Sequence, residues 1–314
     1  MTTAVTFVSR LDKKIENIWL YELQKAMPEE NIVLFSDLKP SQYDMIELAI
    51  VADPYPQDVL KLKNLKWIHS VWAGVDKLVS ALPEDSAPIV RLIDAELTRT
   101  MAEAVLAWSL YIQRDMPAYR DQQTRQIWQQ RPYRPVTDIE VGIVGLGTLG
   151  KAAADLLIKV GFKVSGWSRN EKNFDKISCY YGDGGLNEML SKSDIIVLLL
   201  PLTPETKGLF NNKRFKAFKK GAAFINFARG AIVETKALLD ALQNNILSHA
   251  VLDVFNNEPV SQSCPYWHHP KVTLLPHIAA PTSVLSAAKT VAKNVTYWRK
   301  TNILPPIVNR QRGY

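Results

Sequence analysis

Three short segments carry residue types that could do chemistry on a carbonyl. They are Asn226-Phe227-Ala228-Arg229-Gly230, Asp253-Val254-Phe255-Asn256-Asn257-Glu258-Pro259 and Pro276-His277-Ile278-Ala279-Ala280. Each follows a predicted strand, and ligands of doubly wound sheets bind at the carboxyl ends of strands. An arginine suits a carboxylate, a histidine suits proton transfer to a carbonyl oxygen, and a glutamate keeps an imidazole protonated. From residue types alone, Arg229, Glu258 and His277 read equally well as ordinary ion pairs at loops.

A second signal is Gly145-Leu146-Gly147-Thr148-Leu149-Gly150, directly after the apolar run Val141-Gly142-Ile143-Val144. A lone GxGxxG is weak, but here it follows a predicted strand and opens a predicted helix, Lys151 to Val160. Gly145 permits the tight turn, Gly147 lets the backbone approach a pyrophosphate, and Gly150 allows close helix–strand packing. The pyrophosphate would face free N–H groups at a helix N-terminus. The next strand, Lys163 to Trp167, ends in Ser168-Arg169 where an NAD site carries an acidic residue. A carboxylate there repels a 2′-phosphate, whereas serine and arginine bond to it. NADPH is therefore expected, with NADH the weaker alternative.

These segments need a scaffold. Val5 to Val8, Ile32 to Phe35 and Ile46 to Val51 read as strands, with an amphipathic helix from Lys14 to Ala26 stopped by Pro28. A helical pattern from Thr98 to Met116 carries Met101, Val105, Trp108 and Ile112 on one stripe and is expected to end at Pro117. A second series begins at Ile139, with strands at Glu140 to Val144, Lys163 to Trp167, Ile195 to Leu199, Ala223 to Asn226, His249 to Val254 and Val272 to Leu275. Strands alternating with helices indicate α/β architecture and parallel sheets. A helix from Ser283 to Arg299 returns to the first region. The domains expected are 1–98 with 283–314, and an inserted doubly wound domain at 99–282.

The 314 residues suffice for two such domains. Apolar residues make up 47% and charged residues 22%, which excludes a largely disordered chain. The longest aliphatic run, Ile195 to Leu200, is too short for a bilayer. Arg10, Lys13 and Lys14 follow the first strand, the wrong order for a signal peptide, so a cytoplasmic protein is expected. Cys179 and Cys264 form neither a disulfide framework nor a metal spacing. The cluster Cys264, His268, His269 reads as a surface loop, and no metal is expected. A net charge of +7 suits an anionic ligand. Lys213, Arg214, Lys216, Lys219 and Lys220 read as a solvated face, so neither nucleic acid nor membrane is an expected partner.

Taken in order and spacing, several motifs resemble the D-isomer-specific 2-hydroxyacid dehydrogenases. They are the glycine loop, Leu200-Pro201-Leu202-Thr203-Pro204-Glu205-Thr206, Ala228-Arg229-Gly230, Leu252-Asp253-Val254-Phe255 with Glu258-Pro259, and Pro276-His277-Ile278-Ala279-Ala280. Ala73-Gly74-Val75-Asp76 is similar to that family's substrate loop. Gly166-Trp167-Ser168-Arg169 and the terminal Arg310-Gln311-Arg312-Gly313-Tyr314 resemble its glyoxylate/hydroxypyruvate reductase A branch.

The resemblance implies a Rossmann cofactor domain inserted in a flavodoxin-like α/β substrate domain. It implies reduction of small 2-oxo acids, and a homodimer. Arg229 would bind the substrate carboxylate and carbonyl, His277 would donate the proton, and Glu258 would pair with it. The N–H groups of Ala73 and Gly74 would hold the carboxylate. The cofactor set would be Gly145, Gly147, Thr148, Leu149, Gly150, Ser168, Arg169, Pro201, Thr206, Ala228 and Asp253, the last at the nicotinamide carboxamide. Two departures stand out. Asn170-Glu171 precede Lys172 where relatives are more basic, which points to moderate NADPH selectivity, and Trp72 replaces a smaller residue. Two alternatives remain: a nucleotide-sensing module on the same fold without turnover, and a dehydrogenase of a larger 2-oxo acid.

Overall fold

A computed structural model of the chain describes residues 4–310 and 312–313. Gln311 and Tyr314 of the C-terminal motif lie outside the described residues. The chain forms two compact units, Met1–Leu97 with Thr282–Tyr314, and Thr98–Pro281.

In the first unit the elements run β1 (Ala4–Ser9), α1 (Lys13–Ala26), β2 (Ile32–Leu34), β3 (Ile46–Ala52), α2 (Pro56–Leu60), β4 (Trp67–Ser70), α3 (Asp76–Ala81) and β5 (Ile89–Val90). The strands are all parallel, in the order β2-β1-β3-β4-β5, which is the flavodoxin-like order. Asp12 caps α1 by accepting the Lys14 N–H at 2.9 Å, and Trp19 and Leu23 bury its inner face. Strand β3 is buried along almost its whole length, as expected of a parallel strand covered on both faces.

The next helix, α4 (Ala95–Gln113), starts earlier than its apolar stripe suggests, because Asp94 accepts the Leu97 N–H at 3.0 Å and opens it there. It also stops earlier. Asp115 turns left-handed at φ 55°, and a new helix, α5 (Met116–Thr124), begins with Pro117 in its first turn. Pro117 therefore starts a helix instead of ending one: a first-turn N–H has no intrahelical acceptor, so proline loses nothing by lacking it.

The second unit continues β6 (Glu140–Val144), α6 (Thr148–Val160), β7 (Lys163–Ser168), β8 (Ser178–Tyr181), α7 (Gly182–Lys192), β9 (Ile195–Leu198), α8 (Asn212–Phe215), β10 (Ala222–Asn226), α9 (Thr235–Gln243), β11 (Leu247–Leu252) and β12 (Val272–Leu274). Its seven strands are parallel in the order β12-β11-β10-β9-β6-β7-β8, a doubly wound sheet whose direction of winding reverses between β6 and β9. One face packs α4 and α6 through Val105, Ala153, Ala154 and Leu157. The other packs α7, α8 and α9 through Met189, Phe215, Leu238 and Leu242. The chain then returns to the first unit as α10 (Val284–Thr301), capped by Ser283. Ala287, Val291, Val295 and Trp298 of α10 join Trp19, Leu23 and Trp67 in one core. No helix among the described residues is long and apolar enough to cross a membrane.

Three strands, β4, β5 and β8, were not legible in sequence. β4 is fully buried although it carries His69 and Ser70. His69 Nδ1 lies 2.9 Å from the Ser70 carbonyl oxygen, and Nε2 lies 3.0 Å from Asn294 Nδ2. The neutral ring satisfies both contacts by donating from Nδ1 and accepting at Nε2. Burial pulls this imidazole down to about 4, and His249 on β11 likewise to about 4. The unfolded chain binds these protons near pH 6.5, the folded chain only near pH 4. Stability is therefore fully present above pH 6.5 and is lost as pH falls toward 4, by roughly 3 kcal/mol per histidine. Thermal unfolding followed from pH 7 to pH 4.5 should show this fall, and His69→Gln should reduce its slope by about half. Equal slopes for the two proteins would exclude His69 as a source.

Candidate active site

The glycine loop hangs between two strand ends. The Gly145 and Leu146 N–H groups donate to the Trp167 carbonyl at 2.9 and 3.2 Å, tying the end of β6 to β7. Gly145 has φ 115°, and a Cβ there would sit 2.7 Å from the Leu199 carbonyl oxygen. A Cβ at Gly150 would overlap the Gly145 carbonyl oxygen, so helix and strand approach this closely only with glycine. Gly147 differs. It caps α6, and a Cβ there would meet no protein atom within 4 Å. Gly147 and Thr148 are exposed, Leu149 is half-buried and Gly150 is buried. An open space over the N-terminus of a 13-residue helix fits the pyrophosphate of a dinucleotide.

At the end of β7, Ser168 is buried and its Oγ donates to the Asn170 carbonyl at 2.6 Å, which turns the chain. Arg169 is exposed beyond it. The Glu205 carboxyl is held below its ordinary value, first by the Thr203 hydroxyl and also by the charge of Arg169. Lys172 Nζ donates to the Leu146 carbonyl at 2.6 Å and so adds a second cation at the glycine loop. Sequence reading noted Lys172 only as the basic residue after Asn170-Glu171, because the folded turn alone brings it back to the loop. Glu171 beside it is exposed. The loop after β9 is pinned by Thr206, whose Oγ1 donates to the Pro201 carbonyl at 2.8 Å and accepts the Thr203 N–H at 2.8 Å.

Three further loops leave the same carboxyl edge of the sheet. After β10, buried Asn226 holds the turn: its Oδ1 accepts the Ala228 N–H and its Nδ2 donates to the Arg229 carbonyl, both at 3.1 Å. Arg229 is half-buried, and its Nη1 donates to the Ala228 carbonyl at 2.8 Å. A Cβ on Gly230 would overlap the backbone of Phe255 and Asn256, so glycine lets this turn press on the loop after β11. In that loop Glu258 Oε1 accepts the Phe255 N–H at 2.8 Å. Its Oε2 lies 2.8 Å from His277 Nδ1 in the loop after β12.

His277 itself is left-handed, with φ 56°. A non-glycine residue holds that conformation only when its surroundings over-determine it. Asp253, at the end of β11, does so: Oδ1 accepts the Ile278 N–H at 2.7 Å and Oδ2 the Ala279 N–H at 2.9 Å. Burial pushes the Asp253 carboxyl up, while these two amides pull it back. Both carboxylate oxygens thus serve the backbone that follows His277. Asn226 and this use of Asp253 are structural roles that sequence reading missed.

Ala73 and Gly74 belong to the first unit, in the loop that follows β4. Trp72 N–H donates to Ser70 Oγ at 3.0 Å. Among the described residues, the N–H groups of Ala73 and Gly74 have no protein acceptor. The basic cluster of the second unit is partly neutralised, with Arg214 paired to Asp183 and Lys219 to Asp194, and Arg214 also donates to the Asn187 side-chain carbonyl.

The chain is similar to known proteins along its length. The D-isomer specific 2-hydroxyacid dehydrogenase family, through its NAD binding domain, matches residues 106–279. A D-isomer specific 2-hydroxyacid dehydrogenase from Xanthobacter autotrophicus Py2, solved with NADPH and MES, is 35% identical with a TM-score of 0.92, over 100% of both chains. An NADPH-dependent glyoxylate/hydroxypyruvate reductase from Sinorhizobium meliloti, solved with NADP and sulfate, is 30% identical with a TM-score of 0.92, again over 100% of both chains. A probable 2-hydroxyacid dehydrogenase from Rhizobium etli CFN 42, solved with NADP, HEPES and L(+)-tartaric acid, is 29% identical over 100% of both chains, with a TM-score of 0.89.

The glycines separate packing from binding. Gly147→Ser should leave unfolding unchanged, since serine also caps helices, yet weaken dinucleotide binding by filling the open space. Gly150→Ala should cost about 1–3 kcal/mol of stability through overpacking. Urea unfolding and fluorescence titration with NADPH check both; a Gly147→Ser protein that binds as wild type would refute the assignment of that space.

Proposed function

Because the chain belongs to the D-isomer specific 2-hydroxyacid dehydrogenase family, we propose that it reduces small 2-oxo acids with NADPH, glyoxylate and hydroxypyruvate foremost. The observation that carries the reading is the Glu258–His277 contact at 2.8 Å. It occupies Nδ1 and leaves Nε2 as the ring position that can give a proton to substrate.

The residues divide the work as follows. The hydride accepted at C2 is what a bound nicotinamide dinucleotide supplies. Arg229 fixes the carboxylate and carbonyl of the acid by charge-assisted hydrogen bonds. The Ala73 and Gly74 N–H groups hold the carboxylate as oriented amides. Holding C2 in one orientation makes its reduction effectively unimolecular. His277 gives the Nε2 proton to the carbonyl oxygen as charge develops there. Glu258, steadied by the Phe255 N–H, stabilises the imidazolium before the transfer. Asp253 keeps the His277 loop in register.

The preference for NADPH rests on the end of β7. Ser168 stands at the position where an NAD site carries a carboxylate for the ribose 2′-hydroxyl, and the Arg169 guanidinium that follows it has the fork geometry that suits a 2′-phosphate. Glu171 in the same turn opposes that charge, so NADH remains a weaker cofactor. The chain is also proposed to be a homodimer. Trp128 is fully exposed, and Met116, Tyr119, Ile127 and Tyr133 of the same stretch are exposed with it. Exposed apolar residues gathered in one stretch support a protein contact there.

Initial rates with NADPH and NADH, on glyoxylate and on hydroxypyruvate, test the reading. NADPH-dependent turnover of either acid is expected. His277→Asn should lower kcat by roughly 10²–10⁴-fold with dinucleotide binding retained. Arg169→Ala should raise KM for NADPH about tenfold or more and leave KM for NADH nearly unchanged. NADPH binding without turnover of either acid would overturn the reductase reading. Sedimentation should give a dimer for wild type and a monomer for Trp128→Asp; a wild-type monomer would refute the dimer.

A further inference from the structure

Arg91 follows β5, directly beside the loop that carries Ala73 and Gly74. The register of β4 and β5 pairs His69 with Val90, and the Leu92 N–H donates to the Trp72 carbonyl at 3.1 Å. The start of the one loop is therefore bonded to the start of the other, at the carboxyl edge of the same sheet. Arg91 is half-buried, and its sole hydrogen bond among the described residues is a long one, 3.4 Å from Nη1 to the Leu92 carbonyl. No carboxylate among the described residues forms an ion pair with it, and burial pulls its guanidinium below the usual value. Two other arginines of this unit behave differently. Arg10 holds Asp53 at 2.8 Å, and Arg299 holds Glu30 at 2.9 Å.

A guanidinium taken out of water without a counter-charge is costly, and an incoming anion offsets that cost. Five N–H donors in a fork, of which one makes a long bond, are suited to a carboxylate. The neighbouring loop adds two N–H groups, of Ala73 and Gly74, that lack a protein acceptor among the described residues. We propose that Arg91 and these two amides form one anion-binding element in the first unit, and that Arg91 holds the carboxylate of the 2-oxo acid. The inference rests on the reductase reading for the identity of the acid, though not for the presence of an anion site.

Oxalate, a non-reducible dianion of similar shape, tests the site without turnover. Calorimetric titration of the NADPH-loaded protein with oxalate should show binding, weakened about 10- to 100-fold in Arg91→Met, the range for a hydrogen bond to a charged group. KM for glyoxylate and for hydroxypyruvate should rise by the same factor, with kcat nearly unchanged. Arg91→Lys should recover part of the loss, since it restores the charge without the fork. Unchanged oxalate affinity and KM in Arg91→Met, or no oxalate binding by wild type, would overturn the proposal. So would a rise confined to hydroxypyruvate, which would move the contact to the C3 hydroxyl. An equal loss of kcat, NADPH binding and thermal stability in both variants would overturn it by showing a structural role. Oxalate binding that depends on Arg91, in a protein that reduces neither acid, would support the anion site and sink the reductase reading alone.

Discussion

Seven parallel strands in the second unit put every strand-to-helix loop on one edge of the sheet. Everything the site does depends on that alignment. The glycine loop, the Ser168-Arg169 turn, the Pro201–Thr206 loop and the three loops with Arg229, Glu258 and His277 all leave this edge. Parallel pairing requires crossovers, and the crossovers bury both faces, so the edge is the natural place for polar side chains to gather. The reversal of winding between β6 and β9 puts the glycine loop at the position where such sheets open a crevice.

Loops on one edge still need a fixed shape. Here the fixing is done by side chains that bond backbone groups, the buried Asn226 and Asp253 and the exposed Glu258, not by further secondary structure. Asn226 ties its own turn, Asp253 ties the stretch after His277, and Glu258 ties the Phe255 N–H to the imidazole. Each of these groups has been taken out of water, wholly or in part, and each is compensated by hydrogen bonds, which is what makes the arrangement rigid rather than unstable. The left-handed backbone of His277 is sustained by the two bonds that Asp253 accepts.

Charge is distributed with the same economy. Asp194 is shared by Arg134 and Lys219, and Arg299 by Glu30 and Glu47. Arg91 in the first unit departs from that pattern, since no carboxylate among the described residues forms an ion pair with it. A chain with a net charge of +7 has cations to spare for this.

The family and the α/β fold were legible in the sequence because their signals are local. The glycine spacing after an apolar run, the buried strands β6, β9 and β10, and the amphipathic α1 each announce themselves within a dozen residues. Where two local readings share a signal, the sequence misled: Pro117 is compatible with the end of one helix or the start of the next, and only the fold chose. Short strands carrying polar residues were invisible, since His69 and Ser70 become apolar-like only when Asn294 and the Ser70 carbonyl satisfy the ring. The types and order of Arg229, Glu258 and His277 could be read directly. The tertiary structure alone decided that Glu258 meets His277, that Asp253 reaches across 25 residues to hold Ile278, and that Arg91 sits half-buried with no carboxylate partner among the described residues. The physical reason is the same in each case. Burial and hydrogen-bond partnership are properties of space, and spacing along a chain reports them only for neighbours on one strand or one turn.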